Sequence, residues 1–307
     1  MDVANLILPV FAVIATGWLA GATGYLPRAL AGSIVQFAYN VAMPALVFLT
    51  IAQSRFEAML DLRFLAAFGG GSALTFLAVS LAACFLSRRN AAGGAMLGAA
   101  ASMTNTGFVA LPILQALYGP QGVLPAAIAT AFIAIAMFPP MIVLLEADGQ
   151  ARQSRGGAIR LLWVILVNPV MLSTLAGLVW SALRLPLPAP VAAYARIFGD
   201  ALTPCALFAV GLSLSLADLR GFLGTAAVVT LVKLVVMPAV VYGIAVWCGL
   251  GPTGTVAAVV CAAVPTAKTA YMLAGAYRTE EPLVASAISL TTLLSIVTLL
   301  VWLAVLL

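Results

Sequence analysis

Two short polar clusters interrupt otherwise apolar sequence: Asn105-Thr106-Gly107, and Pro265-Thr266-Ala267-Lys268-Thr269 about 160 positions later. Asparagine, threonine and glycine are poor residues for a helix interior, because their short side chains compete for backbone bonds or leave the backbone unrestrained. Pro265 removes a backbone donor and clashes with the turn before it. Unwinding at either cluster exposes amide donors and a half-helix N-terminus whose partial positive charge suits an anionic group. The competing uses are interhelical packing of small polar residues for the first cluster, and a kinked but continuous helix for the second. Asn105, Thr106, Gly107, Thr266, Lys268 and Thr269 are the candidate substrate-binding residues, with helix breaks at Asn105, Pro112 and Pro265.

Lys268 is the sharpest of these. A cation deep in an apolar segment costs several kcal/mol and usually marks a substrate or ion path. Every other cation except Lys233 is an arginine in or near a loop. Arginine stays charged, whereas a lysine taken out of water can release its proton. Lys268 could therefore bind a carboxylate, carry a coupling proton or stand in for a sodium ion. Lys233 lies five residues before Pro238, and Asp200 is a potential partner for either lysine, so Lys268, Asp200 and Lys233 are the candidate coupling groups.

Other chemistries lack their parts. The chain has no histidine, and Cys84, Cys205, Cys248 and Cys261 lie inside apolar runs without a C-x-x-C pair. A transition-metal site is not expected, no cofactor is implied, and the thiols read as small hydrophobes. With neither paired acids nor a nucleophile-base arrangement, an intramembrane enzyme is the weakest class.

The elements that hold these clusters must be membrane spans. Hydrophobic residues make up 64% of the chain and charged residues 7%, with a mean hydropathy of +1.17. A soluble domain carries about 25% charged residues, so no soluble domain is expected. The net charge of +5 reads as arginines at a cytoplasmic surface rather than as a nucleic-acid footprint. Met1-Asp2 offers no basic region for a cleaved signal, so the first span is expected to be retained.

Apolar runs bounded by charges and turn residues give ten spans, at 4–24, 31–53, 63–86, 92–117, 122–145, 159–183, 192–216, 222–248, 253–277 and 282–306. With the N-terminus outside, the inner loops hold eight arginines (28, 88, 89, 152, 155, 160, 220, 278) and the outer loops four (55, 63, 184, 196). That asymmetry favours both termini outside. Sliding the chain by 160 residues lays Met43-Pro44-Ala45-Leu46-Val47-Phe48 over Thr203-Pro204-Cys205-Ala206-Leu207-Phe208, and Asn105-Thr106 over Pro265-Thr266. Five spans per half is an odd number, so the halves insert with opposite topology and form an inverted repeat. Residues 1–145 make the first half, 146–158 a cytoplasmic connector and 159–307 the second half. The fold class is an all-α polytopic membrane protein. Pro44 and Pro204 are expected to kink the second span of each half. Gly17-x-x-x-Gly21 and Gly94-x-x-x-Gly98 permit close helix packing, which is weak evidence for dimerisation.

The stretch Thr104-Asn105-Thr106-Gly107-Phe108-Val109-Ala110-Leu111-Pro112, followed by Tyr118-Gly119, resembles the fourth span of the auxin efflux carrier family. Pro265-Thr266-Ala267-Lys268-Thr269-Ala270-Tyr271-Met272-Leu273-Ala274 resembles its ninth. The family holds the plant PIN-FORMED exporters and bacterial malonate-permease-like proteins. The resemblance implies crossed, broken helices in spans 4 and 9, in a fold like that of bile-acid symporters and sodium/proton antiporters. It also implies a scaffold of spans 1, 2, 6 and 7, through which a homodimer could form, and a transport domain of spans 3–5 and 8–10. Family substrates are mostly small carboxylates, and Asn105 occupies the position that contacts the carboxylate. Two departures bear on function. Many bacterial members have an apolar residue where Lys268 stands and asparagine where Thr269 stands. A fixed cation there favours an anion and disfavours sodium. The expectation is therefore an elevator-type secondary transporter of organic anions in a bacterial inner membrane, sodium-independent and driven by protons or the membrane potential. The alternatives are a sodium-coupled bile-acid-type symporter, or a channel or sensor on the same fold. The plant members' long central loop is replaced by the short Glu146–Arg160 connection, so regulation through it is not expected.

Overall fold

The computed structural model describes residues 3–53, 61–147, 169–213 and 223–307. Most of the expected 146–158 connector, Arg55, the start of span 6, the end of span 7 and the Asp218-Leu219-Arg220 break lie outside the described residues. The described chain is helical and has no named strand, only one isolated antiparallel bridge between Thr104 and Thr266. In chain order the helices are α1 (Val3–Ala22), α2 (Leu30–Gln53), α3 (Leu62–Leu86), α4 (Ala91–Ser102), α5 (Thr106–Tyr118) and α6 (Pro120–Leu145). There follow α7 (Pro169–Ala182), α8 (Ala189–Ser213), α9 (Gly224–Trp247), α10 (Pro252–Ala263), α11 (Lys268–Tyr277) and α12 (Glu281–Leu306). Helices α2, α3, α6, α8, α9 and α12 are each long and apolar enough to cross a bilayer, at 24 to 26 residues. At a rise of about 1.5 Å per residue they exceed the roughly 30 Å hydrocarbon core. The expected spans 4 and 9 are each divided into two shorter helices, α4 with α5 and α10 with α11.

Helix α12 shows the solvent for which these faces were chosen. Val297, Val301 and Val305, four residues apart, are 57–69% exposed, while Thr291, Ser295, Leu299 and Leu303 on another face are at most 3% exposed. The apolar stripe faces outward and hydroxyls are buried, the reverse of a helix in water. Ser295 and Thr291 spend their protons on carbonyls of their own helix, at 2.9 Å to Thr292 O and 3.1 Å to Ile288 O.

Prolines shape the spans in a second way. Wide, π-type turns occur at Ala38–Ala42, Leu65–Gly70, Thr106–Ala110, Ile133–Met137 and Val232–Val236. All but the second end two residues before a proline: Pro44, Pro112, Pro139 and Pro238. A proline lacks the N–H that its helix would offer four residues back, and its ring crowds that carbonyl; widening the preceding turn relieves both problems. In α9 the carbonyl four residues before Pro238 belongs to Leu234, and Trp302 Nε1 donates to it at 3.0 Å. Pro204 acts differently, since α8 is interrupted by a turn at Ala201 just ahead of it.

The chain divides into two compact units: residues 1–62, 106–131 and 164–214 form one, and 63–105, 132–163 and 215–307 the other. In the first, α1 meets the second part of α8 with backbones in contact, since a Cβ on Gly17 would lie 3.0 Å from Leu212 N. In the second, α3 meets α4 in the same manner, since a Cβ on Gly98 would lie 2.7 Å from Phe76 O. Both small-residue pairs thus face neighbouring helices of this same chain.

Candidate functional site

Helix α4 begins with Asn90, whose Oδ1 accepts from Gly93 N at 2.9 Å, and residues Ala92 to Ser102 are all buried. Its small side chains let neighbours approach on every side. After Ser102 the chain turns extended at Met103 (ψ 116°), and α10 gives way to extended chain at Val264 (ψ 157°) in the same manner. The two helices also begin and end 161 positions apart, Ala91 against Pro252 and Ser102 against Ala263.

The extended segments 103–105 and 265–267 pair with each other. Asn105 N donates to Pro265 O at 2.9 Å, and Ala267 N donates to Met103 O at 3.0 Å. Thr266 fastens the pair on two further sides: its N–H donates to Thr291 Oγ1 at 3.2 Å and its hydroxyl to Ala100 O at 2.6 Å. Backbone freed by a broken helix has no water to meet inside a bilayer, and here each broken strand of chain supplies partners to the other. Thr104 lies opposite Thr266, is 3% exposed, and its Oγ1 has no partner among the described residues.

The geometry brings Asn105, Pro265 and Thr266 together and places Lys268 and Thr269 immediately beyond them, at the first turn of α11. Asn105 and Thr269 are half-buried and Lys268 is exposed. Among the described residues, none of these three side chains has a hydrogen-bond or ion-pair partner. Thr266, by contrast, is 1% exposed and its hydroxyl proton is already committed. Lys268 adds a positive charge at the positive end of a helix dipole, where a cation is disfavoured by about 0.3–1 kcal/mol. The local field is therefore one that an anion would relieve.

Thr106 and Gly107 belong to the other unit. Thr106 Oγ1 lies 2.7 Å from Thr130 Oγ1, and because Thr130 donates to Ala126 O at 2.8 Å, Thr106 is the donor of that pair. A Cβ at Gly107 would lie 2.6 Å from Met43 Cε, so the turn has no room for a larger residue. Pro112 follows at the second residue of the α-helical part of α5, and Phe108 stacks on Tyr39 with ring centroids 5.5 Å apart.

Lys233 and Asp200 also fall in different units, and Asp200 is exposed. Lys233 is 0% exposed, and its Nζ donates to Ala262 O and, at 2.7 Å, to Val264 O. Its partner is the carbonyl end of α10 rather than an acid. Sequence reasoning missed this contact, and it missed Thr104, Thr130 and Thr291. The recurrence of Thr291, Ser295 and Thr298 at i, i+4 and i+7, on one face of α12, was the available signal for Thr291.

Apolar helices long enough to cross a bilayer, with broken polar chain after α4 paired to broken polar chain after α10, are the build of a membrane protein. Residues 2–303 match the family model described as "Membrane transport protein". The chain belongs to that family, the auxin efflux carrier family. A Rhizobium meliloti (strain 1021) protein named "Putative malonate transporter" is 26% identical over 299 residues, covering 97% of this chain and 93% of its own length. A Methanothermobacter thermautotrophicus protein named "Uncharacterized transporter" is 25% identical over 302 residues, covering 98% of this chain and 97% of its own.

Proposed function

We propose that the protein is a secondary carrier of small organic anions, carboxylates above all, working by elevator-type alternating access without sodium. One observation carries the reading: at the paired breaks, the Asn105 carboxamide and the Lys268 ammonium have no partner among the described residues, although the extended segments 103–105 and 265–267 beside them bond to each other. The Asn105 amide would donate to one carboxylate oxygen. Lys268 and the first amides of α11 would hold the charge. Thr269 would complete the rim. The name of the Rhizobium meliloti relative agrees with a carboxylate substrate.

The reading includes ten spans arranged as two inverted halves. In support, α4 and α10 match at an offset of 161, and α2 and α8 both depart from regular helix just ahead of Pro44 and Pro204. Spans 1, 2, 6 and 7 would be the fixed scaffold and the others the moving part, in a bacterial inner membrane with both termini outside.

The test is thermal stabilisation of purified protein by a panel of mono- and dicarboxylates including malonate. Binding to the folded state alone stabilises it by RT ln(1 + [L]/Kd), so a weak substrate still registers at high concentration. A shift present in the wild type and lost in both Asn105→Ala and Lys268→Ala is the expected result. No shift in the wild type, or one that survives both substitutions, overturns the carboxylate site. Counterflow in liposomes then separates a carrier from a pore.

A further inference from the structure

Helix α10 stops at Ala263, and a helix end leaves its last carbonyls without amide donors. The amides that would have continued the ladder are diverted. Pro265 has no N–H, Thr266 N donates to Thr291 Oγ1, and Ala267 N donates to Met103 O. The carbonyls of Ala262 and Val264 are met instead by Lys233 Nζ, arriving from α9. The turn that carries Lys233 is the wide one at Val232–Val236, between Thr230 and Pro238, and it is held to α12 by the bond from Trp302 Nε1 to Leu234 O. No carboxylate pairs with Lys233 among the described residues, so its counter-charge is the negative end of the α10 dipole. Thr230, three residues earlier on α9, is 4% exposed and its Oγ1 has no partner among the described residues.

Main-chain carbonyls at the end of a discontinuous helix are the ligands with which transporters coordinate a coupling cation. A lysine ammonium is a compact point charge that can sit among such oxygens. We propose that Lys233 is a tethered cation: its ammonium fills a monovalent-cation site made by Ala262 O and Val264 O, so that no free ion is needed to neutralise the break. The consequence for coupling rests on the carrier reading, but the site itself is tested by binding alone. The structure thus assigns to Lys233 the ion-replacing role that the sequence offers to Lys268, and leaves Lys268 for the substrate.

The experiment compares wild type, Lys233→Ala, Lys233→Gln and Lys233→Met, purified in choline chloride and titrated with sodium, potassium or ammonium while thermal unfolding is followed. Alanine and glutamine open room beside the two carbonyls, and methionine fills it with apolar atoms. The expected result is no cation response in wild type or Lys233→Met, and a saturable rise in the other two. That rise would be about 4 °C at a hundredfold excess over Kd. If Lys233→Ala is not recovered folded, Lys233→Gln, which keeps an N–H donor, carries the same test. The proposal is overturned if neither opened variant responds beyond the wild type, or if Lys233→Met responds equally. A sodium response in an opened variant together with a silent carboxylate panel would sink the anion reading and leave this site standing. The opposite pair of results would sink this site alone.

Discussion

Replacing Thr266 by valine isolates what holds the broken helices together, because valine keeps the branched shape and removes only the hydroxyl. That hydroxyl is 1% exposed and donates to Ala100 O at 2.6 Å, while the backbone N–H to Thr291 and the pairing with residues 103–105 are untouched. No cavity opens, so the loss is that of one buried bond, with the Ala100 carbonyl left short of a donor. Such losses run about 1–3 kcal/mol in water-soluble proteins and average nearer 0.6, with a ceiling of about 1.7, between membrane helices. The depth of this site argues for the upper part of the membrane range, about 1–1.5 kcal/mol, or roughly 2 °C in Tm. Unfolding followed by labelling of the cysteines, of which Cys261 is buried and the others half-buried, reads that shift. Thr266→Ser should restore it. Carboxylate affinity should change little, because the hydroxyl proton points to Ala100. A Thr266→Val protein of wild-type stability that has lost carboxylate binding would refute this, and would return Thr266 to the ligand.

Trp302→Phe should cost about 1 kcal/mol by stranding Leu234 O, and much less in a Pro238→Ala background, where residue 238 regains an N–H; a double-mutant cycle measures the coupling, and additivity would reject it. Gly98→Ala should destabilise by about 1–3 kcal/mol or abolish folding, because its methyl would meet the backbone carbonyl of Phe76, whereas Gly275→Ala in α11, with open space around it, should be neutral or stabilising; melting curves of the two compare them directly. Arg89→Gln removes the 2.5 Å ion pair with Glu280, and since the arginine is 38% exposed the effect should stay within about 1 kcal/mol and vanish in high salt.

The breaks were legible because they rest on local rules. Pro265 cannot continue a helix, and Asn105-Thr106-Gly107 is poorly suited to a helix interior, so both interruptions could be read from residue type alone. What fills each break was not legible, because it comes from elsewhere in the chain. Ala100 offers only a carbonyl that every residue has, and Thr291 looks like any other hydroxyl in a Ser/Thr-bearing span. Lys233 was seen as an anomaly, but sequence reasoning sought an acid for it. A cation in lipid can equally be held by the end of a helix dipole, which has no letter in the sequence. The wide turns escaped for a different reason: a proline advertises a kink, yet nothing in the residue says whether the helix bends, breaks as at Ala201, or loosens upstream as at Val232–Val236.

Those loosened turns change how the spans can vary. Each π-type turn holds one more residue than an α-turn, so every side chain beyond it is rotated by about 100° against the pattern before it. A span such as α9 is thus two surfaces out of phase with each other, joined at Val232–Val236. Removing one residue there together with the proline would restore a continuous stripe and swing Lys233 or everything after it to a different neighbour. Within such a helix a single-residue deletion is a rotation, and the faces on either side of each proline can drift independently through sequence change without moving the ends of the span.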